Sequence, residues 1–126
     1  MKQLKDGTKD LHIVNDKLGT PTYTHDFAVN IKLLIEKGVH DLFNMVCGGL
    51  TSRLEVATEL VKIFGLQSDV KVKEVNSKYF AKEYFAGRPD NERLINKHLD
   101  SIGLNKMQNW KKALRIYIQD YYSNYI

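Results

Sequence analysis

Apolar runs of two different periods alternate along the first half of the chain, and that order leaves few folds open. Leu11-His12-Ile13-Val14 is a short apolar-rich run entered from the polar Asp6-Gly7-Thr8-Lys9-Asp10, which predicts a strand. Phe27, Ile31, Leu34 and Ile35 then follow the i, i+4, i+7, i+8 spacing of one helix face, with Thr24 or Asp26 available as cap and Gly38 as stop. Residues 39–46 predict a second strand, and Cys47-Gly48-Gly49 turns the chain. Ser52-Arg53-Leu54-Glu55 has the capping-box pattern ahead of Val56, Ala57, Leu60, Val61 and Phe64, a second helix that ends at Gly65. Val70, Val72 and Val75 predict a third strand. Strand, helix, strand, helix, strand favours a layered α/β unit.

The connections carry their own constraints. Between the first strand and the first helix, Pro21 forbids the right-handed helical region at Thr20, while Gly19 permits backbone angles closed to other residues. From Asn76 to Asn91 the aromatic residues Tyr79, Phe80, Tyr84 and Phe85 are interrupted by Gly87 and Pro89, predicting an irregular, partly buried loop. Beyond it lie a short strand at Arg93-Leu94-Ile95, a short helix at 97–102 ended by Gly103, and a last helix capped by Asn109. Trp110, Ala113, Leu114, Tyr117, Ile118 and Tyr121 share one face of that helix. Met1 to Lys5 reads as the tail of an element, because so few residues do not nucleate a stable helix by themselves.

A chain of 126 residues is long enough for one domain with a genuine core and too short for two, so residues 1–126 are expected to form a single domain. No apolar run reaches the roughly 20 residues a membrane span requires, and Met1-Lys2-Gln3-Leu4-Lys5-Asp6 lacks a signal peptide's apolar stretch. The lone Cys47 has no internal disulfide partner, so the expected location is cytoplasmic. The net charge of +4 is uneven: the last 34 residues hold six Lys or Arg (Arg93, Lys97, Lys106, Lys111, Lys112, Arg115) against two acids, and the preceding part is balanced. Basic residues scattered on an amphipathic helix form a solvated face, and no aromatic-basic pattern of a nucleic-acid-binding module accompanies them.

Chemistry-bearing residues are sparse. Neither GxGxxG nor GxxxxGK[ST] occurs, and Gly48-Gly49 reads as a tight turn rather than a phosphate cradle. His12, His25, His40 and His98 are too dispersed for a metal ligand set. Tyr23, Tyr79, Tyr84, Tyr117, Tyr121 and Tyr122 all lack a lysine four residues on, so they are expected to pack with the ring buried and the hydroxyl at the surface. Ala86-Gly87-Arg88-Pro89-Asp90-Asn91 sets an arginine between a permissive and a rigid residue, a position from which a planar fork can grip phosphate, although in isolation an ordinary surface arginine is the commoner case.

Three stretches together resemble the C-terminal half of dTDP-4-dehydrorhamnose reductase and its relatives among the extended short-chain dehydrogenases. Asp16-Lys17-Leu18-Gly19-Thr20-Pro21-Thr22-Tyr23-Thr24-His25-Asp26-Phe27-Ala28 is similar to the family's D-Q-x-G-x-P-T-Y-x-x-D-x-A. Thr51-Ser52-Arg53-Leu54-Glu55-Val56-Ala57 resembles its S-[WR]-Y-E-F-A helix opening, and Arg88-Pro89-Asp90-Asn91-Glu92-Arg93-Leu94 its R-P-x-N-S-x-L. Lys17 stands where Gln is usual, Glu92 where Ser is usual, and Ile95 and His98 replace commoner polar and basic residues.

The resemblance implies a small mixed α/β lobe that follows a Rossmann domain in an extended enzyme, where NAD(P)H reduces the 4-keto group of a nucleotide-linked sugar. By the same resemblance Arg88 would pair with the nucleotide diphosphate, Asn91 would lie nearby, and Thr20, Thr22 and Tyr23 would shape the substrate cleft. The glycine-rich loop and catalytic Tyr-x-x-x-Lys of the family have no counterpart here. The chain is therefore expected to bind no cofactor alone, to be inactive alone, and to self-associate through faces that meet the absent Rossmann domain. The alternatives are a lobe of a related epimerase, a non-catalytic regulator, and, from another class, a small basic nucleic-acid-binding domain.

Overall fold

The computed structural model describes residues 1–82, 87 and 89–125, and within them the chain forms two compact units. Met1–Gly19, Thr51–Glu92 and Tyr122–Ile126 make up the first, Thr20–Leu50 and Arg93–Tyr121 the second.

In the first unit, β1 (Asp10–Val14) and β2 (Lys71–Val75) pair in parallel, with Leu11 opposite Val72 and Val14 opposite Val75. A one-turn helix, α1 (Lys2–Lys5), and the longer α3 (Arg53–Ile63) supply the rest of the core. Leu4, Leu11 and Val61 are buried together, with Ile13, Phe64, Leu66, Val70 and Val72 packed around them. The N-terminal residues thus form a helix after all, because Leu4 gains in this core what one turn lacks alone. The capping box at α3 forms as its sequence pattern predicts: the Glu55 amide donates to Ser52 Oγ at 3.3 Å, and the Ser52 amide donates to Glu55 Oε2 at 2.8 Å. Gly65, at φ +68°, ends the helix in the left-handed conformation. After β2, the loop predicted to be irregular opens with a 3-10 turn, Ser77–Phe80, capped by Asn76.

The second unit holds α2 (Thr24–Glu36), the short α4 (Lys97–Ser101) and α5 (Trp110–Tyr122), whose last residue belongs to the first unit. Leu34, Cys47, Leu99, Trp110, Ala113 and Ile118 are its buried apolar residues. The N-cap of α2 is Tyr23, without a side-chain cap, rather than Thr24 or Asp26, which lie inside the first turn. Asn109 caps α5 as expected, its Oδ1 accepting from the Lys111 amide at 3.0 Å.

Two predicted strands do not form. Residues 39–46 have no ladder, and neither do Arg93, Leu94 and Ile95, so strands β1 and β2 alone carry the sheet of the described residues. The physical reason lies in Asn96. Its side chain accepts from the Val46 amide at 2.9 Å and donates to the Val46 carbonyl at 2.8 Å, giving that residue both bonds a neighbouring strand would have given. Buried Asn30 does similar work between α2 and the segment after α4: it donates to the Leu104 carbonyl at 3.1 Å and accepts from the Lys106 amide at 2.7 Å. Amide side chains therefore stitch this unit together where a sheet was expected. Among the described residues no helix is long and apolar enough to cross a membrane.

Candidate functional site

The residues singled out from the sequence fall in both units. Asn91 belongs to the first, whereas Thr20, Thr22 and Tyr23 belong to the second, and Arg88 lies outside the described residues.

In the first unit, two of the sequence motifs meet. The stretch Asp16-Lys17-Leu18-Gly19 leaves β1 and runs alongside residues 90–92: the Leu18 amide donates to the Asp90 carbonyl and the Glu92 amide to the Leu18 carbonyl, each at 2.8 Å. Leu18 is thus paired in parallel with Asn91 and, on another side, antiparallel with Ser52. Lys17 Nζ adds an ion pair of 2.6 Å to Asp90 Oδ1, with the lysine mostly buried and the aspartate well exposed. The Asp16 carboxylate completes the brace, accepting from the Ser77 amide at 2.9 and 3.0 Å and from the Ser77 hydroxyl at 2.8 Å. Donation by the Ser77 amide, then by its hydroxyl, holds the Asp16 carboxyl below the ordinary aspartate range. Bonds from one loop to three others fix the backbone on which exposed Asn91 sits. From the residues alone Asp16 has no role beyond its place in the Asp16-Lys17-Leu18-Gly19 stretch. Its signal was a carboxylate two residues past the end of β1, in a polar turn where Asp side chains bond nearby backbone amides.

In the second unit the stretch Thr20-Pro21-Thr22-Tyr23 rests on the Cys47-Gly48-Gly49 turn. Thr20 Oγ1 donates to the Gly49 carbonyl at 3.2 Å, and the Tyr23 amide reaches Cys47 Sγ at 3.5 Å. That turn is itself fastened to the start of α5, the Gly48 amide donating to the Gln108 carbonyl at 2.8 Å and the Trp110 amide to the Gly48 carbonyl at 2.9 Å. Gly49 has φ +93°, and a Cβ there would lie 2.9 Å from both Trp110 Cδ1 and Asn109 Nδ2. The glycine pair is a packing turn, as the sequence suggested, and its space is filled by Trp110 rather than by a phosphate.

Thr20 and Thr22 are half-buried, as is Tyr23. The Tyr23 ring stacks on His25 at 5.6 Å and meets Tyr117 edge-on at 5.8 Å, and Tyr117 in turn lies 5.6 Å from Tyr121. Burial first, and then a hydrogen bond with Tyr121, push the Tyr23 phenol above its usual range. It stays protonated at neutral pH, a hydroxyl able to donate but not a base. Burial likewise pushes the Cys47 thiol up, against the opposing Tyr23 amide, which keeps it out of the thiolate form that nucleophilic chemistry needs. Beside them Asp26, also buried, accepts from Gln108 Nε2 at 3.0 Å through one oxygen, while the other has no hydrogen-bond partner. No group of three His, Cys, Asp or Glu among the described residues could hold a metal ion. Among the described residues both places are thus backbones held in shape by hydroxyl, amide and carboxylate groups.

Known proteins resemble this chain in sequence and in fold. The spore coat polysaccharide biosynthesis protein SpsK of Bacillus subtilis (strain 168) is 28% identical over 125 residues, which are 95% of this chain and 40% of SpsK. The crystal structure of a dTDP-4-dehydrorhamnose reductase from Clostridium acetobutylicum ATCC 824 matches with a TM-score of 0.85 at 30% identity, covering 94% of this chain and 41% of that one. A dTDP-4-dehydrorhamnose reductase from Bacillus anthracis str. Ames, solved in complex with NADP, shares the fold with a TM-score of 0.83 at 24% identity, over 94% of this chain and 41% of its own. This chain spans about two fifths of the length of these relatives. The profile described as the RmlD substrate binding domain matches residues 1–123, and the chain belongs to that family.

Proposed function

We propose that this chain is the sugar-nucleotide-binding part of a longer dTDP-4-dehydrorhamnose reductase-like enzyme, in which a preceding Rossmann domain holds NAD(P)H. The observation that carries the reading is the pairing of Leu18 with residues 90–92, because it joins the two stretches of sequence most like the reductases in one braced backbone. In the whole enzyme NAD(P)H supplies the hydride that reduces the 4-keto group of the nucleotide sugar. The residues of this chain bind and orient: Arg88 pairs with the diphosphate with Asn91 nearby, and Thr20, Thr22 and Tyr23 help shape the substrate cleft. The protonated Tyr23 hydroxyl and the Thr20 and Thr22 hydroxyls suit a sugar, which offers both donors and acceptors. The names of the relatives favour this over an epimerase lobe, a regulator or a nucleic-acid-binding domain.

Arg88 carries the test. In a longer protein with this chain joined to its Rossmann domain, Arg88→Ala should weaken dTDP-sugar binding by about 1.5 to 3 kcal/mol, the size of a hydrogen bond to a charged group. Arg88→Lys should restore part of the loss, since an ammonium keeps the charge but not the bidentate fork. Calorimetric titration showing wild-type affinity in Arg88→Ala would remove Arg88 from the site, and no binding of dTDP-sugars by the unaltered protein would remove the function itself.

A further inference from the structure

The stretch assigned above to the diphosphate carries charge of the wrong sign for that ligand. From 88 to 92 the sequence sets two carboxylates, Asp90 and Glu92, against the one cation Arg88. Asp90 and Glu92 flank Asn91, and all three are exposed. A carboxylate beside a diphosphate repels it, and one unit charge a few ångströms away at a protein surface changes affinity severalfold. An anion binds well here only if a further cation offsets one of the two acids.

The first unit holds that cation in a fixed place. The parallel pairing of Leu18 with Asn91 puts Lys17 directly opposite Asp90, on the same side of the two segments. Lys17 Nζ reaches Asp90 Oδ1 at 2.6 Å, the lysine side chain 17% exposed and the aspartate 87% exposed. A pair whose acid end stays hydrated adds little to stability. The register has other support in any case, since backbone bonds of 2.8 Å run from the Leu18 amide to Asp90 and from the Glu92 amide to Leu18. Nor is Lys17 needed to satisfy its neighbour Asp16, whose carboxylate accepts from the Ser77 amide and hydroxyl. What the ion pair does change is the field around Asn91. With Asp90 cancelled, Arg88 and Glu92 leave the stretch formally neutral instead of negative.

We propose that Lys17 sets the affinity of this stretch for a nucleoside diphosphate by cancelling the charge of Asp90, an inference that rests on the diphosphate reading above. Lys17 is thus a positioning residue, acting through Asp90. The test is calorimetric titration of dTDP into the longer protein that joins this chain to its Rossmann domain. Lys17→Gln should weaken binding about three- to sevenfold at roughly 50 mM salt, the effect of one uncovered surface charge, and the deficit should shrink at roughly 0.5 M salt. Asp90→Asn, which leaves Lys17 charged, should bind at least as tightly as the unaltered protein, and it tests the proposal even if Lys17→Gln does not fold. Lys17→Gln combined with Asp90→Asn should recover the unaltered affinity although it lacks the ion pair. If the pair served only as a brace, the combined variant would stay as weak as Lys17→Gln. Unchanged affinity in Lys17→Gln, weaker binding in Asp90→Asn, or no recovery in the combined variant would overturn the proposal and leave the diphosphate reading standing. No dTDP binding by the unaltered protein would remove both.

Discussion

A single methyl group added at position 49 would meet Trp110 Cδ1 and Asn109 Nδ2 at 2.9 Å, in a backbone conformation that side chains other than glycine's rarely adopt. Gly49→Ala should therefore cost about 2 to 3 kcal/mol, combining left-handed backbone strain with a local clash, and denaturant unfolding measures it. An unchanged midpoint would mean that Trp110 repacks freely. The turn was legible in advance, since paired glycines after an apolar segment have few other uses, but the indole that fills it was not. The same holds for Asn30 and Asn96. Their partners lie 74, 76 and 50 positions away, and an asparagine that will hold a distant backbone looks in sequence like any surface asparagine.

Elements whose cause is local came through the sequence intact. The capping box and the glycine stops at Gly38, Gly65 and Gly103 are set by residues within a few positions of each other, and both strands of the parallel pair show in their local apolar pattern. Residues 39–46 failed as a strand for the opposite reason, because pairing depends on a neighbour that the local pattern does not contain. At this scale the Asp16 brace makes a testable link between β1 and the 3-10 turn Ser77–Phe80. A carboxyl held below its usual range stabilises the fold above that range, and the contribution disappears as pH falls through and below it. Asp16→Asn should lower thermal stability at neutral pH and make the acid limb of a stability–pH profile shallower. Parallel profiles for the variant and the unaltered chain would show that Ser77 is held without Asp16.

For the molecule as a whole, a sheet of two parallel strands and the exposed Phe27, Val29 and Ile35 on α2 mark a chain with apolar surface to spare. Parallel sheets are ordinarily covered on both faces, and pairs of strands by themselves are marginal. Joined to the Rossmann domain of the proposed longer enzyme, the chain should unfold at a higher temperature and sediment with less self-association than by itself. Equal stability and a monomer in both forms would count against that pairing. The two units also differ in the chemistry that holds them. The brace around residues 16–19 relies on carboxylates and an ion pair, which answer at once to acid and salt. In the second unit Asn30 and Asn96 hold backbone groups through primary amides, bonds that do not titrate but are subject to slow hydrolysis. Deamidation at Asn96 would exchange the donor beside the Val46 carbonyl for a second negatively charged oxygen, turning an attraction into a repulsion. Slow hydrolysis at Asn30 or Asn96 would thus age this half of the chain at bonds that acid and salt leave alone.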